Sequence, residues 1–283
     1  MKPNDLFLGL PKNFWANVRL ISQQVGYTNK RSGQIKIPTK TEIEIGLRKV
    51  DIDFRRVAKE KSGRVKFDIL LNNYFEYRAN ALNTYVEPKL MTVERAKRTY
   101  ENYHSKLRST CPIPMNKQTG IKKAPAYLTG LVNMLIEANA NGAACDYDPR
   151  QLTTLTRDGI PVRTLARRVD GAFPSSVNPI AIWEIKEYYY TTTFGSRVAD
   201  GIYETLLVGL ELEELKNHEG INVRHYLIVD AYETWWNMGK SYLCRIMDLL
   251  HMGYIDEVLF GYEVVERLPL LVKEWVASET LRT

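Results

Sequence analysis

Apolar positions in the first 110 residues recur at steps of three and four. Between Asn13 and Val25 they set Phe14, Val18, Ile21 and Val25 on one stripe, which predicts an amphipathic helix. Gly26 to Gln34 carries two glycines and no apolar period, and predicts a loop. Thr41 with Glu44 three residues on has the form of a capping box. After it Ile43, Leu47, Val50, Phe54 and Val57 predict a single helix ending near Ser62-Gly63. Two more helices are expected over about 65–85 and 92–107, and Cys111 to Gly120, with two prolines and a glycine, reads as a connection between lobes. The period then changes. Tyr127 to Ala140 predicts a short helix, while Pro161 to Ala172 and Ile180 to Tyr189 predict strands joined by the turn-forming Pro174-Ser-Ser-Val-Asn-Pro. A long apolar helix from Ser196 to Leu215, a strand over 223–229, a helix from Ser241 to Met252, a strand over 257–260 and a helix from Glu263 to Trp275 complete the reading.

That order predicts an α/β protein: a mixed central sheet flanked by helices, preceded by a mostly helical N-terminal lobe. The expected division is a basic lobe over 1–115 and an α/β lobe over 116–283. A chain of 283 residues buries a core without staples. Its composition, 45% hydrophobic and 25% charged, is that of an ordinary globule. No apolar run approaches the roughly 20 residues that span a bilayer, and the first residues lack the apolar core of a secretory signal. The expected place is the cytoplasm, with no membrane partner. Cys111, Cys145 and Cys244 form no CxxC pair and share no ligand spacing with His104, His218, His225 and His251, which excludes a zinc or disulfide framework. The net charge of +6 is uneven: residues 1–110 hold 22 Lys and Arg against 11 Asp and Glu, a balance of +11, and the remainder balances at −5. A basic half joined to an acidic one points to a polyanion partner beside a site that needs carboxylates.

The segment that carries chemistry is Val169-Asp170-Gly171 and then, with thirteen residues between the aspartate and the glutamate, Glu184-Ile185-Lys186. Alternation along a strand points Glu184 and Lys186 one way and Ile185 the other, and a hairpin brings Asp170 beside Glu184. Two converging carboxylates repel unless a cation lies between them, and their hard oxygens suit Mg²⁺, with Mn²⁺ as a substitute. Lysine beside that ion is placed to hold a water and to offset charge on a phosphate. Glu184 and Lys186 also interrupt an apolar run, Ile180-Ala-Ile-Trp-Glu-Ile-Lys, where charge is costly to bury unless paired.

This pattern resembles the PD-(D/E)XK nuclease superfamily, and within it the type II restriction endonucleases. The resemblance rests on Asp170, Glu184, Ile185 and Lys186 and on the helix–strand–strand–helix–strand order from about 127 to 230. It implies a Mg²⁺-dependent, site-specific double-stranded DNA endonuclease with a restriction-endonuclease-like core. It implies Asp170, Glu184 and the Ile185 carbonyl as metal ligands, Lys186 as the group positioning water, and Glu137 as an acidic residue on the preceding helix. Val169 stands where the motif's name has proline.

Around this centre, Arg163, Arg167, Arg168 and Arg197 are candidates for the DNA backbone, Arg197 at the N-terminus of the helix after the motif strand. The loop with Asn29, Lys30, Arg31, Gln34 and Lys36 offers groups for base edges. Cutting both strands calls for a homodimer on a two-fold site. The alternatives are a non-site-specific nuclease of the same superfamily, acting in repair or against phage and mobile DNA, and a non-catalytic DNA-binding protein that keeps the fold.

Overall fold

The computed structural model describes residues 1–116, 123–191 and 195–282. Part of the expected connection after Cys111 and the stretch Thr192-Thr193-Phe194 lie outside the described residues.

The chain opens with helix α1 (Lys12–Val25), whose stripe of Phe14, Trp15, Val18 and Ile21 is buried. The helix expected from Thr41 to Ser62 is two helices, α2 (Lys40–Arg48) and α3 (Phe54–Lys59). The capping box sits two residues earlier than read, with Thr39 accepting from the Glu42 N–H and Glu42 returning the bond. Asp51, at φ +57°, breaks the run, and Asp53 restarts it by accepting from the Arg55 N–H. Ile43, Leu47, Phe54 and Val57 are buried as the stripe requires, while Val50, beside the break, is exposed. A small hairpin of β1 (Lys61–Ser62) and β2 (Val65–Lys66) leads into α4 (Phe67–Asn80), a π-helical turn over Ala81–Val86 and the single turn α5 (Glu87–Lys89). Phe14, Trp15, Leu47, Phe67 and Tyr74 close one apolar core.

Helix α6 (Val93–Leu107), capped by Thr92, packs onto α7 (Tyr127–Asn139): Ala96 and Tyr100 share a core with Leu131 and Leu135. Packing thus places α6 with the second half of the chain, ahead of the boundary read after residue 115. The strand read over 161–172 is two pieces. The hairpin of β3 (Thr154–Arg157) and β4 (Ile160–Thr164) stands apart, and β5 (Gly171–Phe173) enters the main sheet. That sheet continues through β6 (Ala181–Glu187), β7 (Arg224–Asp230) and β8 (Glu257–Phe260) in spatial order β5-β6-β7-β8. The first pair is antiparallel and the other two parallel, so the sheet is mixed.

Helices cover both faces. Trp183 and Ile185 of β6 and Tyr226 and Ile228 of β7 pack toward α7 and α10 (Glu263–Thr280), with the Trp183 and Trp275 rings stacked at 5.5 Å. Leu227 and Val229 face the opposite layer, formed by α8 (Ser196–Glu219) and α9 (Lys240–His251). Burial on both sides explains why β6 and β7 read as nearly continuous apolar runs. Two glycines set the spacing: a Cβ at Gly171 would lie 2.0 Å from the Trp183 ring, and one at Gly201 would meet the Tyr188 hydroxyl at 2.7 Å and Lys186 at 3.3 Å. The helical N-terminal half is locked to the sheet domain by a buried ion pair, Arg78 to Asp248 at 3.0 Å, which Tyr74 and Ser22 complete by hydrogen bonds. None of the helices among the described residues is long and apolar enough to cross a membrane.

Candidate functional site

Alternation along β6 divides its polar residues between two faces. Glu184 and Lys186 lie against α8, near Thr205 and Glu204, whereas Ile185 and Glu187 face α7. Asp170 ends the loop into β5 and stands at the sheet edge. Its N–H donates to the Trp183 carbonyl and its Oδ2 accepts the Ile185 N–H at 2.8 Å. A pleated strand carries the N–H and C=O of one residue on the same edge. The Ile185 carbonyl is therefore directed to the side that Asp170 occupies.

Glu184 is fully buried, and its Oε2 is 3.0 Å from Arg167, 2.8 Å from Lys186 and 3.3 Å from the Thr205 hydroxyl. Lys186 and Arg167 each reach on to Glu204, both at 2.9 Å. Two acids and two bases thus close a neutral cluster between β6 and α8. Burial pushes the Glu184 carboxyl up, but the nearby His225 imidazole, with Lys186 and Arg167, pulls harder and leaves it well below the usual carboxylate range. Burial lowers the Lys186 ammonium, and Glu184, Asp170 and Glu204 together raise it above its ordinary value. Both groups are charged at neutral pH. Lys186 feels Asp170 as well as Glu184, so the three motif residues share one electrostatic neighbourhood.

Hard-cation chemistry fits this donor set in part. Glu184 Oε1 is buried without a hydrogen-bond partner, and the imidazole Nε2 of His225, 3.8 Å away, is equally unpartnered. An orphan carboxylate oxygen, the Asp170 carboxylate and a carbonyl on the Asp170 edge are groups that Mg²⁺ takes, together with waters. Against this, Arg167 and Lys186 already neutralise the other Glu184 oxygen. Among the described residues no group of three or more His, Cys, Asp or Glu is placed to hold a metal ion. The expected set has two carboxylates and a main-chain oxygen, and so does not include such a triad.

The other expected residues scatter. Glu137 is not brought to the centre: Ser109, at 2.5 Å, and the Thr110 hydroxyl and N–H engage its carboxylate and hold it below its ordinary pKa. Arg167, read as a DNA contact, instead serves Glu184 and Glu204, and Arg163 pairs with Glu214 at 2.6 Å. Arg197 is exposed, lies over the Tyr188 ring at 5.7 Å and makes no ion pair among the described residues. In the basic loop, Asn29 spends its side-chain oxygen on the Arg31 and Ser32 N–H groups, and Lys36 pairs with Glu42 at 2.5 Å. Lys30, Arg31 and Gln34 are exposed.

Sequence reasoning passed over Glu187. On the α7 face it accepts the N–H of Leu128 at 3.2 Å and both the N–H and hydroxyl of Thr129, at 3.0 and 2.9 Å, capping α7 from across the core. Burial outweighs these bonds and pushes its carboxyl up to about 7. Its register partner on β7, Asp230, is likewise raised by burial to about 7, although Tyr189 and the Met91 and Ala231 N–H groups bond it. Glu187, Ile185 and Asp170 line a cavity of about 440 Å³ between β6, α7 and the segment after Cys111. The signal available was the fourth residue of Glu184-Ile-Lys-Glu187, a further charge on the apolar face of a central strand.

In comparisons with known proteins, residues 91–275 match a family described as Domain of unknown function DUF7687, and residues 1–85 match Domain of unknown function DUF7690. The break between the two falls ahead of α6. No curated protein and no solved structure matches the chain.

Proposed function

The chain belongs to the family Domain of unknown function DUF7687, and from the carboxylates and lysine at the edge of its central sheet we propose that it is a Mg²⁺-dependent DNA endonuclease of the PD-(D/E)XK type. One observation carries the reading: Glu184 and Lys186 sit two residues apart on a central strand, fully charged, 2.8 Å from one another, with Asp170 across the strand pair. A strand has little structural use for such charge, because a buried ion pair seldom stabilises a fold beyond what apolar packing achieves. The order α7, β5, β6, α8, β7, with an antiparallel step followed by parallel ones, supports a restriction-endonuclease-like core.

In this reading Asp170, Glu184 and the Ile185 carbonyl hold the ion. When bound it supplies a Lewis acid and a water of lowered pKa. Lys186, kept protonated by its carboxylates, orients the water and offsets charge building on the phosphate. Arg197 is the cation available to a neighbouring phosphate. The substrate is double-stranded DNA, and a homodimer accounts for cutting both strands.

Asp170→Ala, Glu184→Ala and Lys186→Ala are each expected to abolish cleavage of plasmid DNA in Mg²⁺ while gel-shift binding survives. Discrete products mark a site-specific enzyme, and a smear marks a general nuclease of repair or defence. If all three variants cut as the wild type does, the assignment fails. The closed cluster of Glu184, Glu204, Arg167 and Lys186 favours one other reading, a DNA-binding protein that keeps the fold without turnover, since those charges are balanced with no ion present. That reading predicts steeply salt-dependent binding and no metal-dependent product.

A further inference from the structure

The cavity beside Asp170 has features that a metal-dependent phosphodiesterase centre does not need. Its volume, about 440 Å³, is within the range of small-molecule sites. Tyr147, Tyr188 and Tyr190 contribute to its walls; the Tyr188 ring is already stacked on Trp235, whereas rings such as those of Tyr147 and Tyr190 are the platforms on which unpaired bases stack. Asn133, on the α7 face below, is nine-tenths buried and lines the same cavity. Its Oδ1 has no hydrogen-bond partner, and a buried acceptor left open in this way costs free energy unless a donor reaches it. Arg197, exposed and free of ion pairs among the described residues, also lines it.

We propose that this cavity receives a single nucleobase, unstacked from the strand whose phosphate lies at Asp170. The base stacks on the rings of Tyr147 and Tyr190, and an N–H on its edge donates to Asn133 Oδ1. Arg197 holds an adjacent phosphate. The position of the base along a strand rests on the nuclease reading of Asp170, Glu184 and Lys186; the pocket itself does not. Extruding a base from a duplex costs a few kcal/mol and costs least where pairing is already broken. Within double-stranded DNA the base is therefore taken most readily at mismatches and melted junctions, and a single strand offers it without that cost.

The test uses the full chain in EDTA, so that no cleavage is required, with a single-stranded oligonucleotide carrying 5-iodouracil at one position. Ultraviolet cross-links are mapped by mass spectrometry. The expected result is cross-linking to Tyr147 or Tyr190. In Asn133→Leu, which has similar volume and no unpaired acceptor, cross-linking falls roughly fivefold or more, the scale of one lost hydrogen bond. Cross-links confined to the 27–36 loop and the N-terminal helices overturn the pocket, whether or not Asn133→Leu folds, because the wild-type map alone decides this. Plasmid cleavage in Mg²⁺, run in parallel, separates the two claims. Cutting without cavity cross-links sinks only the base pocket, and cavity cross-links without cutting sink only the nuclease.

Discussion

Replacing Glu187 by glutamine should change how stability depends on pH, and in a direction opposite to that of most acidic residues. The Glu187 carboxyl is raised from its ordinary 4.5 to about 7, chiefly by burial. A group raised in this way favours folding fully below its unfolded pKa and loses that contribution as pH rises through the folded one. At 1.36 kcal/mol per pKa unit, the whole shift amounts to about 3 kcal/mol, and the part lying between about pH 5.5 and pH 8.5 to about 2 kcal/mol. Glutamine keeps an acceptor for the Leu128 and Thr129 N–H groups and does not titrate. The variant's stability relative to wild type should therefore climb by about 2 kcal/mol across that span. Asp230 titrates in both proteins and largely cancels. Without Glu187 beside it, its own pKa eases downward, because Glu187 is among the groups that raise it. Urea unfolding followed by tryptophan fluorescence at the two pH values reads the difference directly. A stability of the variant relative to wild type that is constant with pH, or that falls as pH rises, would refute the account of Glu187 as a carboxyl raised by burial.

Two further perturbations test the frame around the site. Asp248→Ala strands the buried Arg78 guanidinium, whose side chain is 1% exposed, and should cost about 3–5 kcal/mol, seen by calorimetry as a fall in Tm of roughly 10 °C; a fall under about 3 °C would show that the lobes do not depend on this pair. Arg167→Gln removes one of the two cations on Glu184 and should tighten Mn²⁺ binding measured by isothermal titration while lowering stability by about 1–3 kcal/mol; unchanged Mn²⁺ affinity would mean that Glu184 is not a ligand.

The helices and the central strands were legible because their apolar periods are strong. Phe14, Val18 and Ile21 on α1 and the run from Ala181 to Trp183 are buried where spacing puts them. The break at Asp51 was not, since Val50-Asp-Ile-Asp53 contains neither glycine nor proline. An aspartate can take positive φ, but nothing local demands it. Thr39 and Thr41 each have glutamate three residues on, so two capping boxes compete. Ile43 and Leu47 are buried under either, and pattern alone does not choose. The β3–β4 hairpin carried an Asp158-Gly159 turn signal between β-prone runs, but the apolar residues after it also fit one longer strand. Of the motif, Asp170, Glu184 and Lys186 are brought to one neighbourhood, whereas the partners that set their charge state were invisible. Arg167 and Glu204 are 37 residues apart, and a sequence pattern does not distinguish an arginine that folds back onto a carboxylate from one that faces solvent.

That last point relocates the polyanion surface. Helix α8 presents Glu204, Glu214 and Glu219, and these take up Arg167, Arg163 and Arg157 respectively. Arg157, Arg163 and Arg167 are thereby neutralised within the α/β half, which balances at −5 beyond residue 110, while Arg168 is exposed and makes no ion pair among the described residues. Counterion release from a nucleic-acid backbone requires cations that are not already paired. On the nuclease reading, the charge that grips the duplex then comes largely from the N-terminal half, with its excess of +11, including Lys30 and Arg31 on the exposed loop, and from Arg168 and Arg197 beside the motif. The two halves divide the work by electrostatics. On that reading the basic one supplies attraction over a wide surface, and the acidic one keeps Arg167 turned inward, holding Glu184 ionised in a core where an isolated carboxylate would otherwise take up a proton.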